Sequence, residues 1–314
     1  MARLYSALIM ASFGFAQTPV LTPRIKPQSP TATETVLRVD SALVLIPAHI
    51  TTAAGTSITT LNKDNFEVVD DDLGQSIAYF AKDDAPVSIA VLFDASGSMR
   101  SKMGKASEAA AAFFKTSNTE DEFLLIEFNG RAKLSVPFTT DSDELYRRIA
   151  RTKPFGQTSL LDAIHLALLQ MKRAKNSRKA IVVFSDGGDN WSRHSVREVR
   201  NALIESEAQL YAMGIFDPDE MVKATPEERD GPRLLDELAE QSGGRHYPVN
   251  NLNDLPAISA RIGNELRNEY LLGYYPSNLS RDGKYHRVKV KLMLPEAPPD
   301  LRTYHRRGYY APVQ

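Results

Sequence analysis

The run Val87-Ser88-Ile89-Ala90-Val91-Leu92-Phe93 leaves this chain the fewest folds. A segment with a single hydroxyl among its side chains has no polar face to turn to water. The strand it predicts therefore needs cover on both sides. Asp94, Ser96 and Ser98 follow at once, with Gly97 between the serines. In open α/β sheets, ligands bind at the carboxyl ends of the strands. Oxygen-bearing side chains at i, i+2 and i+4 on a tight loop can converge on one point, which suits a hard divalent cation such as Mg²⁺.

From Val87 onward strands and helices alternate. Strands are predicted at Glu122–Phe128, Ala132–Phe138, Ala180–Ser185, Gln209–Phe216 and His246–Val249. Helical spacing joins Met103, Ala106, Ala110 and Phe113, then Leu161, Ile164, Leu168 and Met171, then Leu255, Ile258, Ile262 and Leu266. Ser142 and Ser195 read as helix N-caps, and Gly243-Gly244 stops a short helix over Arg233–Gln241. Repeated units of this kind imply an α/β fold with a doubly wound, mainly parallel sheet.

The flanks read differently. Val36–Ile50 is strand-like, with Leu37, Val39, Leu43 and Leu45 on one side and Pro47 marking an edge or a strand end. Asn65–Val69 and Ser76–Phe80 are further strands. After Tyr270 come Tyr270–Tyr275, Val288–Lys291 and Tyr304–Tyr310. Too few strands lie in either flank to make a core alone. One small β-sandwich closed from both chain ends is therefore expected. The run Asp70–Asp72 lacks the spaced ligands and closing Glu of a Ca²⁺ loop, so a solvated turn is expected there. The resulting division is 1–17, 18–35, 36–84, 85–266 and 267–314.

Met1–Gln17 has the pattern of an export signal: Arg3, an apolar stretch from Leu4 to Phe15, and a small-residue cleavage position near Ala16. The segment 18–35, with Pro19, Pro23, Pro27 and Pro30, reads as a linker. The expected location is extracytoplasmic, periplasmic or secreted. No other apolar run is long enough to cross a membrane. Net charge is −1, which gives no electrostatic case for nucleic acid or an anionic membrane. The absence of cysteine excludes thiol catalysis, Cys-based zinc sites and disulfides.

Two further strand-end segments complete a constellation. Gly156-Gln157-Thr158-Ser159 precedes a helix, and Asp186-Gly187-Gly188-Asp189 follows a buried strand. One sheet would bring both to the edge that holds Asp94. Asp189 is expected to be a loop or helix-capping residue. Trp191 and His194 either line a partner face or pack within their loop. Alone, each segment could be a turn or a cap. Together they offer hydroxyls from Ser96, Ser98 and Thr158 and carboxylates from Asp94 and Asp186.

Enzymatic readings fit less well. A phosphatase of the haloacid-dehalogenase type needs a second Asp where Ser96 stands, and a serine hydrolase needs a G-x-S-x-G elbow. His49, His165, His194, His246, His286 and His305 are scattered. Hydroxyl ligands activate water poorly. No catalytic residue is expected.

The constellation resembles the von Willebrand factor A domain family with its metal-ion-dependent adhesion site. The family pattern D-x-S-x-S, a distant Thr and a distant Asp is met by Asp94, Ser96 and Ser98, Thr158 and Asp186. The resemblance covers Pro86 to Glu265. Leu61–Val68 and Tyr270–Pro276 also resemble the flanks of a bacterial exported subgroup. The resemblance implies that Ser96 and Ser98 bind the metal directly, and Thr158 directly or through water. It implies that Asp94 and Asp186 act largely through water and as acceptors that orient the hydroxyls. Mg²⁺ is the implied ion, with Mn²⁺ or Ca²⁺ also suited. Neutral ligands leave the cation's charge poorly compensated, so an open position attracts an Asp or Glu of a partner protein. The implied function is an exported, metal-dependent protein-binding module rather than an enzyme. The alternatives are an envelope assembly component whose β flanks do the binding, and a metal-dependent hydrolase.

Overall fold

The computed structural model describes residues 43–216, 226–278, 282–294 and 300–313. The expected signal peptide, linker and first residues of the opening strand lie outside them. The chain begins in β1 (Val44–Thr51), β2 (Phe66–Asp70), β3 (Leu73–Gln75) and β4 (Ile77–Asp83). Alternation follows: β5 (Val87–Asp94), α1 (Met103–Phe114), β6 (Glu122–Phe128), β7 (Ala132–Thr139), α2 (Ser142–Ile149) and α3 (Leu160–Met171). It continues through β8 (Arg178–Ser185), α4 (Val196–Ser206), β9 (Gln209–Ile215), α5 (Pro226–Ser242), β10 (Arg245–Val249) and α6 (Leu255–Glu265). The chain closes with β11 (Glu269–Tyr274), β12 (Tyr285–Leu292), β13 (Arg302–His305) and β14 (Gly308–Tyr310).

Strand β5 is buried along its whole length and lies between β6 and β8. The sheet order is β10-β9-β8-β5-β6-β7, parallel except that β7 runs against β6. Val87, Ile89, Val91 and Phe93 pack with α1, α2 and α6, whereas Ala90 and Leu92 pack with α3, α4 and α5. The apolar run thus has the two-sided cover its composition demands. The chain leaves β5 toward β6 and returns on the other side to β8, so the sheet's switch point lies at the carboxyl ends of β5 and β8.

Local chemistry sets the helix ends. Ser195 and Glu198 form a reciprocal capping box at α4. At α2 the cap is Asp141, whose carboxylate accepts from the Glu144 amide at 3.2 Å, and Ser142 is the first helical residue. Helix α5 starts at Pro226, earlier than its apolar spacing shows, and stops before Gly243 at φ +82°.

Strands from both chain ends build the β-sandwich, as sheets β13-β1-β11-β4 and β14-β12-β2-β3. Register corrects the expected facing of β1. Val44, Ile46 and Ala48 pair with Tyr274, Leu272 and Tyr270 and point inward, while Leu43 and Leu45 are exposed over Gly273. Pro47 sits in an interior strand, yet it pairs only with Leu271, because pairing to β13 begins at Ala48. It occupies a local edge. The acidic turn is solvated only in part. Asp71 and Asp72 are exposed at φ +44° and +68°, the backbone of a two-residue hairpin loop. Asp70 is buried, and its Oδ2 accepts from the Tyr274 hydroxyl at 3.0 Å and the Tyr309 hydroxyl at 2.9 Å. That carboxylate joins the two sheets.

Glu269 fastens the sandwich to the central sheet. The Arg178 guanidinium donates to its Oε2 at 2.6 Å and Gln209 Nε2 donates to its Oε1 at 2.7 Å. Arg178 also holds the carbonyl oxygens of Ala85 and Leu266. Replacing Glu269 with Ala leaves the Arg178 charge between the layers without this carboxylate, at a cost of about 3 kcal/mol. Urea unfolding should show a lower midpoint at unchanged slope, with a smaller loss for Glu269→Gln. A change below about 0.5 kcal/mol would show that strand pairing alone holds the layers together.

Candidate metal centre

Strand β5 ends in a carboxylate with no surface exposed to bulk solvent. Asp94 is fully buried. Its Oδ1 accepts from the Ser96 amide at 2.8 Å, which folds the following loop back on the strand. Its Oδ2 accepts from Ser185 Oγ at 2.5 Å, at the end of β8. Within the loop, Ser96 Oγ and Ser98 Oγ lie 3.1 Å apart. The Ala95 amide donates to the Phe128 carbonyl at the end of β6 at 2.7 Å.

The second segment latches onto the first through main-chain bonds. The Gly97 amide donates to the Gly156 carbonyl at 3.0 Å, and a Cβ on Gly97 would stand 3.3 Å from that oxygen. Gly156 adopts φ +80°, which favours glycine. Thr158 is buried. Its amide donates to Asn190 Oδ1 at 2.9 Å, and its carbonyl accepts from the Asn190 and Trp191 amides at 3.1 and 3.0 Å. The loop after β8 thus fixes the Thr158 segment. Asp186 stands directly after Ser185. Its Oδ2 faces Lys102 Nζ at 3.4 Å, and its buried Oδ1 accepts no hydrogen bond among the described residues.

The structure thus brings the segments bearing Asp94, Ser96, Ser98, Thr158 and Asp186 to one edge of one sheet. Burial pushes the Asp94 carboxyl up to about 7, and the Asp186 carboxylate pushes the same way. Bonds from Ser185 and Ser96 pull against both. Hard oxygen donors, two hydroxyls within contact distance and an orphaned buried carboxylate oxygen together fit a divalent cation. Asp189 does what capping residues do: its Oδ1 accepts from Ser192 Oγ at 2.6 Å and faces the Leu161 amide at 3.4 Å.

Sequence reasoning missed Lys102. It lies in the turn before α1, where a lysine usually reads as solvated, yet it is buried against Asp186. Phe155 and Trp191 stand by the loops 63% and 60% exposed, large apolar groups left to solvent. His194 turns toward α3. Its Nδ1 lies 2.7 Å from Asp162 Oδ1, and its ring stacks on His165 at 3.8 Å. The other histidines face partners elsewhere: His49 the Asn268 carbonyl, His246 Asp236, His286 Asp71 and His305 the Arg306 carbonyl.

Residues 89–188 match the family profile of the von Willebrand factor type A domain. Over 166 residues the chain is 27% identical to the inter-alpha-trypsin inhibitor heavy chain H2 of Mesocricetus auratus, covering 46% of this chain and 18% of that protein. Over 152 residues it is 25% identical to an uncharacterized protein of Borreliella burgdorferi, covering 44% and 45%. The chain therefore spans less than half the length of either relative. A solved von Willebrand factor type A structure from Catenulispora acidiphila superposes with a TM-score of 0.51 at 13% identity, covering 88% of this chain and 75% of that one. Proximal thread matrix protein 1 of the mussel byssus superposes at 0.50 with 18% identity, covering 63% and 51%. At such identities these structures speak for the fold alone. The matched profile and the strand order it falls on lead to one conclusion: the chain carries a von Willebrand factor type A domain.

Proposed function

We propose that this chain is a divalent-metal-dependent protein-binding module that captures a carboxylate of its partner. The observation that carries this reading is the meeting of three segments: Asp94 binds its own loop and the Ser185 hydroxyl at the end of β8, Gly97 in that loop binds the Gly156 carbonyl of the α2–α3 segment, and the Ser96 and Ser98 hydroxyls are in contact. Ser96, Ser98 and Thr158 would hold the ion, and Asp94 and Asp186 would orient the hydroxyls and balance charge. When bound, the cation supplies an incompletely neutralised positive point, to which an Asp or Glu of another protein is drawn. Mg²⁺ is the proposed ion, and the same donors suit Mn²⁺ or Ca²⁺. Hydroxyl donors and histidines engaged elsewhere favour binding over catalysis. The leader-like Met1–Gln17 supports an extracytoplasmic location.

The direct test is capture of partners from a cell-envelope extract, with and without EDTA. EDTA, Asp94→Ala and Ser98→Ala should each reduce capture by about tenfold or more. Ser98→Ala keeps the Asp94 bonds, so it separates loss of binding from loss of folding, which circular dichroism checks. Capture that ignores all three treatments would move the function to the β-sandwich.

Metal affinity should depend on pH with a definite sign. The Asp94 carboxyl, raised to about 7, holds a proton below that pH, and the proton opposes the ion. Calorimetric Mn²⁺ affinity should rise from pH 6 to pH 8, by roughly up to tenfold per unit below pH 7, and then flatten. A flat profile would remove Asp94 from the centre.

Lys102 sets an ammonium against the same centre. Lys102→Met removes that charge while keeping the aliphatic stem. Mn²⁺ should bind about fivefold tighter. Metal-free melting temperature should fall, because Asp186 loses its cationic neighbour. Weaker Mn²⁺ binding would instead make Lys102 a positioning residue of the loop.

A further inference from the structure

Beside the metal loop the protein surface is locally basic. The β6–β7 hairpin and the segment joining α2 to α3 enclose an open groove of 440 Å³, and Arg131, Lys133, Arg148, Arg151 and Lys153 line it. The chain as a whole carries 38 basic and 39 acidic residues, so this clustering is a local excess. One acid lies in the groove, Glu127, and it is spoken for. Arg148 Nη2 stands 2.5 Å from its Oε2, and the Ser135 and Thr152 hydroxyls donate to the same carboxylate. Arg131, Lys133, Arg151 and Lys153 are exposed, and none of them has an ion-pair partner among the described residues.

The groove opens directly off the metal loop. Ala95, between Asp94 and Ser96, forms part of its wall. The Ala95 amide is fixed to the Phe128 carbonyl at 2.7 Å, and the Ala95 carbonyl accepts from the Phe155 amide at 2.9 Å. The groove and the metal loop thus share Ala95 as a common wall. Phe155 adds an exposed apolar surface, suited to the methylenes of glutamate side chains.

We propose that this groove receives an acidic stretch of the partner, with one carboxylate directed to the metal and its neighbours to Arg131, Lys133, Arg151 and Lys153. The partner segment is thus a run of Asp and Glu residues rather than a lone acid in a neutral loop. This rests on the metal-dependent reading above. Exposed charge pairs add modest affinity each, but together they set the choice of partner, speed association and weaken with salt. A sulfated polysaccharide would satisfy the basic side chains and leave the metal loop unused, so the shared wall favours a peptide.

The test uses fluorescence anisotropy on the full chain in Mg²⁺ with two labelled peptides. One holds a single Asp among Gly and Ser, and the other holds the same Asp flanked by Glu. The acidic peptide should bind about tenfold tighter at low salt. That advantage should shrink toward one when NaCl rises from about 0.05 M to about 0.5 M. It should also shrink in Lys133→Glu/Lys153→Glu and, partly, in the neutral Lys133→Gln/Lys153→Gln, with unchanged melting temperatures. Equal affinities for two peptides that are both lost in EDTA would overturn the groove and leave the metal reading intact. Acidic-peptide binding that ignores EDTA would overturn both. A preference that survives charge reversal would overturn the groove, as would a heparin fragment that displaces the peptide and binds without Mg²⁺.

Discussion

The carboxylate of Asp94 is the constraint on which sheet and site both depend. It ends a strand with no exposed residue, so bulk solvent cannot satisfy it. A buried charge needs donors or a counter-charge. Here one oxygen takes the Ser96 amide and the other the Ser185 hydroxyl. The first bond turns the chain into the loop that carries the hydroxyls. The second locks the end of β8, and Asp186 with it, beside β5. Burial that in a core would be a defect becomes the means of aligning donors from separate segments. It also leaves Asp94 titrating near neutrality.

The sandwich stands clear of this edge for a topological reason. Glu269 meets Arg178 and Gln209, which begin β8 and β9, whereas Asp94 and Asp186 lie at the carboxyl ends of the strands. Eight residues of parallel strand separate the two ends by roughly 25 Å. The β layer therefore braces the amino-terminal side of the sheet and leaves the loops of the opposite side open. Asp70 does within the sandwich what Asp94 does in the sheet. One buried carboxylate holds tyrosines from different strands, Tyr274 and Tyr309.

What could be read in the sequence was what neighbouring residues determine among themselves. The apolar run, the segments after β5 and β8 and the Ser195 capping box all belong to this class, whereas residues 156–159, expected at a strand end, join α2 to α3. Facing of β1 does not, since Leu43, Val44, Leu45 and Ile46 are apolar on both parities. Only pairing with β11, more than two hundred residues later, decides between them. Asp141 and Ser142 can both cap a helix, so a one-residue choice fell to tertiary fit. The first half of α5 is polar and interrupted by Gly231 and Pro232, and it gave no period to follow. Lys102 and Asp70 were illegible for one reason. Their partners, Asp186 and the two tyrosines, come from distant strands, and only the fold makes those side chains interior.

The charges around the centre also couple its two proposed ligands. Hydroxyl donors contribute no negative charge, Lys102 adds a positive one beside Asp186, and the adjoining groove is basic. Lys102 and the basic groove oppose a divalent cation in the free protein, and on the proposed reading Asp94 and Asp186 offset only part of its charge. The acidic partner proposed above would reverse the balance, because its carboxylates would neutralise the groove and complete the coordination. On the proposed reading the ion strengthens partner binding. By thermodynamic reciprocity the partner strengthens ion binding by the same factor. The centre then holds its metal weakly alone and firmly in complex, and metal concentration and partner concentration govern one equilibrium rather than two. A site built from carboxylate ligands, saturated with metal at all times, would lack that dependence. On the proposed reading, Ser96, Ser98 and Thr158 supply neutral donors, which leave the ion's remaining charge for the partner to complete.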